Sequence, residues 1–224
     1  MSLRFLCFDL DGTLVDSRAA IVGCFQASLR ASGFTDIDDE AIAGHIGRPL
    51  GEMLEGLVEP ADQGPIIAAY VRDFVDWDHR CTQAFPGILE ALERLGETDL
   101  RMAVTSSKSL VGIERVVREQ GIAHHFTDLW GGDLVSRGKP NPEMLQRAMT
   151  SAGMTPAETL LVGDTTYDIE MGVAAGVRSL GVSWGMHSPA MLRSAGASGI
   201  LTSARQLGML HDDERGSPAD GSSS

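Results

Sequence analysis

The 224-residue chain is almost empty of lysine: Lys108 and Lys139 are its only two, against 16 arginines. Positive charge is short altogether, with 31 acidic residues against 18 basic ones and a formal net charge of −13. A surface of that sign repels nucleic acid phosphates and anionic membrane headgroups, so neither is expected as a partner. Cysteine is equally sparse. Cys7, Cys24 and Cys81 are odd in number and form no CxxC pair, which argues against a disulfide framework and a thiolate zinc site and for a reducing, cytoplasmic setting. No apolar run approaches the roughly 18 residues a membrane helix needs, and the stretch from Phe5 to Phe8 is too short for a secretion signal. What the chain does have is 43% hydrophobic and 22% charged residues over a length that can bury a full core.

Short apolar runs alternate with helical patterns, the signature of βα units and a parallel sheet. Five strands are predicted: LRFLCF at 3–8, LRMAV at 100–104, a weaker FTDLWGG at 126–132, TLLVGD at 159–164 and VRSLGVSW at 177–184. The helices between them are punctuated. Asn141 before Pro142 reads as an N-cap followed by proline at the first helical position, Thr155-Pro-Ala-Glu158 has the form of a capping box, and Gly121, Gly153 and Gly176 read as helix stops. The interval 17–81 is too long for one crossover and reads as a separate helical subdomain. Within it Ile21, Cys24, Phe25 and Leu29 recur at helical spacing, as do Ile67, Tyr70, Val71, Phe74 and Val75, and both stripes are expected to pack. The polar, Gly- and Ser-rich segment 211–224 is expected to be a disordered tail.

Chemistry-bearing residues gather at the predicted carboxyl ends of the strands, where open α/β sheets bind ligands. Asp9 and Asp11 leave the first strand two residues apart and can project to one side. Thr105, Ser106 and Ser107 follow the second strand and open a helix whose free N–H groups can hold an anion. Lys139 lies just ahead of the Asn141-Pro142 helix start. Asp164 ends the fourth strand, and Asp168 follows at the spacing that shares one helix face. Singly, each has an ordinary explanation as a turn residue, an N-cap or a first-turn acid.

Taken in order, DLDGTLVDS, VTSSK, GKPNPE and GDTTYD resemble the haloacid dehalogenase superfamily, and within it the helical-cap phosphatases of the phosphoglycolate phosphatase type. The resemblance implies a Rossmann-like, three-layer α/β core from residues 1–16 and 82–210, with strand order five, four, one, two, three. It implies that 17–81 is an all-α cap inserted after the first motif. By the same resemblance Asp9 is the nucleophile that forms an aspartyl phosphate, and Asp11 is the general acid and then base. Mg²⁺ is expected on the Asp9 and Asp164 carboxylates and the Asp11 carbonyl, an all-oxygen set suited to a hard cation. Thr105 and the Ser106 N–H are expected to hold phosphate oxygens, Lys139 to balance charge between phosphate and Asp9, and Thr13 and Asp168 to support them. Arg48, in HIGRPL, is expected on a cap loop over the site, with a guanidinium fork suited to a substrate carboxylate.

The expected function is thus Mg-dependent hydrolysis of a small phosphorylated metabolite, phosphoglycolate-like. A dehalogenase of the superfamily lacks the second aspartate, and a phosphonate hydrolase needs a cap lysine that 17–81 does not contain. A hexose-phosphate mutase uses the same aspartate pair and stays open, as does a non-catalytic protein that binds a phosphorylated ligand. Lys108 reads as either a solvated or a site lysine, the six histidines as surface or loop residues, and Asp133 as a turn residue.

Overall fold

The computed structural model describes residues 2–211; residues 212–224 of the expected tail lie outside it. In chain order the first elements are β1 (Phe5–Phe8), β2 (Val15–Asp16), α1 (Arg18–Ala31), α2 (Asp39–Ala43), α3 (Pro60–Cys81), β3 (Gln83–Ala84) and α4 (Ile88–Gly96). They are followed by β4 (Arg101–Ser106), α5 (Leu110–Glu119), β5 (Asp128–Gly131), α6 (Glu143–Ala152), β6 (Thr159–Gly163) and α7 (Thr166–Ala175). The chain then runs through β7 (Arg178–Val182), α8 (Pro189–Ser194), β8 (Gly199–Leu201) and α9 (Ala204–Leu207).

Six strands form a parallel sheet in the order β5-β4-β1-β6-β7-β8. The five expected strands stand in the implied order, and β8, unforeseen, extends the sheet beyond β7. Three residues of GIL carry too little periodicity to announce a strand; pairing with β7 makes them one. The sheet is buried on both faces, as a parallel sheet between helices must be. Along β1 the side chains alternate: Leu6 and Phe8 join the cluster under α4 and α5, Phe5 and Cys7 the cluster under α6. Each fully buried Leu or Phe contributes about 1.5–3 kcal/mol, so the four residues of β1 weld both layers to the sheet.

Between β2 and β3, helices α1, α2 and α3 enclose a cluster of their own, with Cys24, Phe25, Leu29, Ile42, Leu54, Ile66 and Tyr70 inside. The stripe of α1 packs as expected. That of α3 does not pack throughout: Tyr70 is buried and Phe74 half-buried, but Val71 and Val75 are exposed. The two-residue antiparallel ribbon β2–β3, also unforeseen, joins the chain entering this helical segment to the chain leaving it.

Local signals hold with shifts of a residue or a geometry. The helix expected to start on Pro142 starts at Glu143, with Pro142 at the N-cap and Asn141 Oδ1 accepting from the Glu143 N–H. The Thr155–Glu158 capping box is present, but it closes a 3₁₀ turn, because strand β6 begins before a full helical turn can form. Gly153 and Gly176 end α6 and α7 in the left-handed conformation that glycine adopts without strain.

Candidate active site

The three central strands end side by side, and that adjacency collects residues from every part of the sequence. Asp9 follows β1, Thr105 and Ser106 close the adjoining β4, and Asp164 follows β6 on the other side. Lys139 reaches the same point from the loop before α6, and its ammonium bridges Asp9 Oδ1 at 2.5 Å and Asp168 Oδ1 at 2.6 Å. All three side chains are nearly closed to solvent.

Asp168 does not share a helix face with Asp164, because Asp164 precedes α7. It is the third residue of that helix and makes a reciprocal capping box with Thr165, whose N–H and hydroxyl both donate to its Oδ2, at 3.0 and 2.7 Å. With Lys139 on the other oxygen, the Asp168 carboxylate is fully committed. Asp164 is held by Thr13 Oγ1 at 3.0 Å and the Met186 N–H at 2.8 Å. Two glycines wall it in: a Cβ on Gly12 would lie 2.1 Å from Asp164 Oδ2, and one on Gly185 2.2 Å from its Cβ. Gly12 also has φ +90°, so both conformation and space require glycine there.

One ammonium faces three buried carboxylates. Burial, and then the Asp168 charge, push Asp164 up to about 7 against its hydrogen bonds. Burial pushes Asp9 well above the ordinary carboxylate range, with Lys139 opposing and Asp168 and Asp164 reinforcing it. Burial works against the Lys139 charge, but Asp168 and Asp9 outweigh it and hold the ammonium above the usual lysine range. Oxygens of Asp9, Asp164 and Asp168 lie within 4.8 Å of one another, a hard, anionic donor set with more negative charge than Lys139 neutralises. With Asp168 taken by Lys139 and Thr165, a divalent cation fits the Asp9 and Asp164 oxygens of this set.

Above this cluster a cavity of about 1120 Å³ opens between the sheet's carboxyl edge and the helical segment 17–81. Asp9, Asp11, Ser106, Lys139 and Arg48 line it. Thr13, Thr105, Asp164 and Asp168 are buried and are not among its lining residues. Asp11 Oδ1 is buried with no hydrogen-bond partner, and Lys108 Nζ stands 3.5 Å from it. Thr105 Oγ1 faces the Phe8 carbonyl at 3.5 Å. The Arg48 guanidinium is engaged: Nε donates to the Tyr167 hydroxyl at 2.7 Å and one η nitrogen lies 3.9 Å from Glu55.

Sequence reasoning left several contributors unassigned. Lys108 is not a solvated lysine: its side chain is only 9% exposed, against Asp11 and over the Phe74 ring. His187 is not on the surface either; it is buried, and its Nδ1 accepts from the Thr166 N–H at 3.0 Å at the start of α7. Burial pushes its pKa down. Asp133 accepts from the Leu110 N–H and so anchors the start of α5. Lys108 closes the VTSSK motif but could not be told from a solvated helix-start lysine, and nothing local marked His187.

The chain is similar to known proteins over nearly its whole length. A 34%-identical relative, the probable phosphatase IndB of Dickeya dadantii, aligns over 91% of this chain and 92% of its own. A phosphoglycolate phosphatase of Vibrio vulnificus is 28% identical over 92% of this chain and 94% of its own. Among solved structures, a hydrolase from Pseudomonas syringae superposes with TM-score 0.84 at 25% identity, covering 96% of this chain and all of that one. The family model that matches residues 6–182 takes in every strand end described above, and by that match the chain belongs to the haloacid dehalogenase-like hydrolases.

Proposed function

We propose that the protein is a Mg²⁺-dependent phosphatase that hydrolyses a small organic phosphate monoester through an aspartyl phosphate on Asp9. The observation that carries this reading is the Lys139 ammonium clamped between Asp9 and Asp168 at the floor of the cavity, which Asp11 lines beside Asp9. Lys139 holds Asp9 through Oδ1, and Asp9 lines the cavity, which leaves its other oxygen as the one to attack phosphorus. Asp11 faces the same space, protonates the departing alkoxide and then takes a proton from the attacking water. The Ser106 N–H, and the Thr105 hydroxyl once turned from the Phe8 carbonyl, hold phosphate oxygens. Asp168 acts through Lys139, and Thr13 through Asp164.

The Asp9 and Asp164 carboxylates, with the Asp11 carbonyl, would hold the Mg²⁺. When bound, the ion supplies neutralisation of the phosphate charge that would otherwise repel a carboxylate nucleophile. Residues 17–81 are proposed to act as the cap over the core formed by 1–16 and 82–210, with Arg48 bordering the substrate. Of the named relatives one is a phosphoglycolate phosphatase and another carries no named substrate, so phosphoglycolate is one candidate among small phosphates.

The test is phosphate release from a generic aryl phosphate with and without Mg²⁺, on the wild type and on Asp9→Asn. Turnover should require the metal and fall by at least about a thousandfold in Asp9→Asn, with the fold intact by circular dichroism. Substantial activity in a folded Asp9→Asn protein would sink the covalent route.

A further inference from the structure

The cavity has two unlike ends. Its floor is polar and charged, around Asp9, Asp11 and Lys139; its far wall, from α1 and α3, is apolar. Phe25, Tyr70 and Phe74 form a continuous stack there, with ring centroids 4.0 Å and then 4.7 Å apart at 21° and 23°. The stack ends on Lys108, whose Nζ is 4.5 Å from the Phe74 centroid and 3.5 Å from Asp11 Oδ1. The apolar wall therefore begins beside the carboxylate that faces the leaving group. Val71 and Val75 of α3 and Val111 of α5 also line the cavity and are exposed by 56%, 51% and 73%.

Apolar groups concentrated at one cleft, continuous with a polar floor, are the mark of a ligand site. The two-carbon leaving group of phosphoglycolate would touch the floor and leave most of the about 1120 Å³ as water against aliphatic and aromatic walls. Displacing that water from apolar surface is the main source of affinity such a wall can offer. Arg48, the side chain that the sequence suggested for a substrate carboxylate, is already turned to Tyr167 and Glu55.

We infer that the substrate is the phosphate monoester of a bulky apolar alcohol, its phosphate on the Asp9 floor and its alcohol portion along the α3 wall. This rests on the phosphatase reading above and specifies its substrate.

The experiment compares kcat/KM for ethyl, butyl and hexyl phosphate and for phosphoglycolate, with Mg²⁺, on the wild type and on the double variant Val71→Ser, Val75→Ser. The alkyl phosphates share one leaving-group chemistry, so chain length reports burial alone. In the wild type kcat/KM should rise about fourfold per added methylene, leaving hexyl phosphate well above phosphoglycolate. The double variant is neutral and exposed, so it should fold; it should cut hexyl phosphate about tenfold, chiefly through KM, and flatten the chain-length slope. No rise with chain length, or a higher value for phosphoglycolate, overturns the inference and leaves the phosphatase intact. A concentration-dependent dimer by sedimentation that the double variant abolishes, with all four substrates affected alike, also overturns it, because the valines then cover a second copy. Absence of Mg²⁺-dependent release from every substrate, aryl phosphate included, removes the phosphatase reading itself.

Discussion

Lys139 shows how much one side chain supports at this site. It is 2% exposed and is the cation for both Asp9 and Asp168. In Lys139→Met, two buried carboxylates lose their counter-charge, and leaving a buried charge unpaired costs about 3–5 kcal/mol. Thermal unfolding should therefore show a Tm lower by roughly 10 °C for a chain of this size, together with loss of turnover. Adding Asp168→Asn to that variant removes one of the stranded charges and should recover part of the stability but none of the activity. A double variant no more stable than Lys139→Met would show that the cost lies in packing rather than charge. Most of these residues were legible in the sequence, because the chemistry restricts each position to one residue type and a strand end fixes its place. Lys108 was not, since a lysine near a helix start looks the same whether water or Asp11 takes its charge.

At the scale of elements, the loop that carries Arg48 is tied to the sheet edge by contacts no local signal announces. Ser107 Oγ donates to the Gly47 carbonyl at 2.9 Å, and Arg48 Nε donates to Tyr167, a residue of α7. Gly47 has φ +101°, and a Cβ there would come within 2.8 Å of Thr165 Cγ2. The loop thus rests on the N-terminus of the helix whose capping box orients Asp168. Removing the Arg48–Tyr167 bond loosens the loop for every substrate. Arg48→Ala should lower kcat/KM several-fold for an aryl phosphate and for phosphoglycolate alike, a loss of about 1 kcal/mol from one hydrogen bond. A selective loss on phosphoglycolate would instead make Arg48 the receptor of the substrate carboxylate. The helices themselves were readable where glycine and capping residues punctuate them, and less so at β8 and the β2–β3 ribbon, which exist because a neighbouring strand supplies their hydrogen bonds.

For the whole molecule, the charge crowded under the cavity links stability to pH and metal. Asp164 is raised in the folded protein to about 7 from an ordinary value of 3.8, and Asp9 shifts the same way. A carboxylate whose folded pKa is raised favours folding while it is protonated, so this contribution is present below about pH 4 and is lost as pH climbs through about 7. Without metal, then, the Tm should fall between about pH 5 and about pH 8. Mg²⁺ requires the ionised carboxylates, so the Tm increment it gives should be larger at about pH 8 than at about pH 5. Asp164→Asn should reduce both the metal-free decline and the Mg²⁺ increment. If the variant keeps the wild-type Mg²⁺ increment, Asp164 is not a metal ligand.

The sequence by itself determined the βα alternation and the place of the long helical segment and marked Asp9, Asp11, Lys139 and Asp164 as candidates, because periodicity, caps and chemistry-bearing residues are local properties of the chain. It could not determine which strand lies beside which; the order followed from resemblance and is realised by six parallel strands whose ends bring residues 9, 105 and 164 together. Only the tertiary structure decided that Val71 and Val75 face a cavity rather than a core. A helical stripe shows that one side of a helix is apolar, and says nothing of whether protein or a ligand will cover it. The burial of Lys108 and His187 was decided in the same way, Lys108 by Asp11 and Phe74 and His187 by Thr166 and Tyr167 of α7, partners from other elements that meet them only in the folded chain.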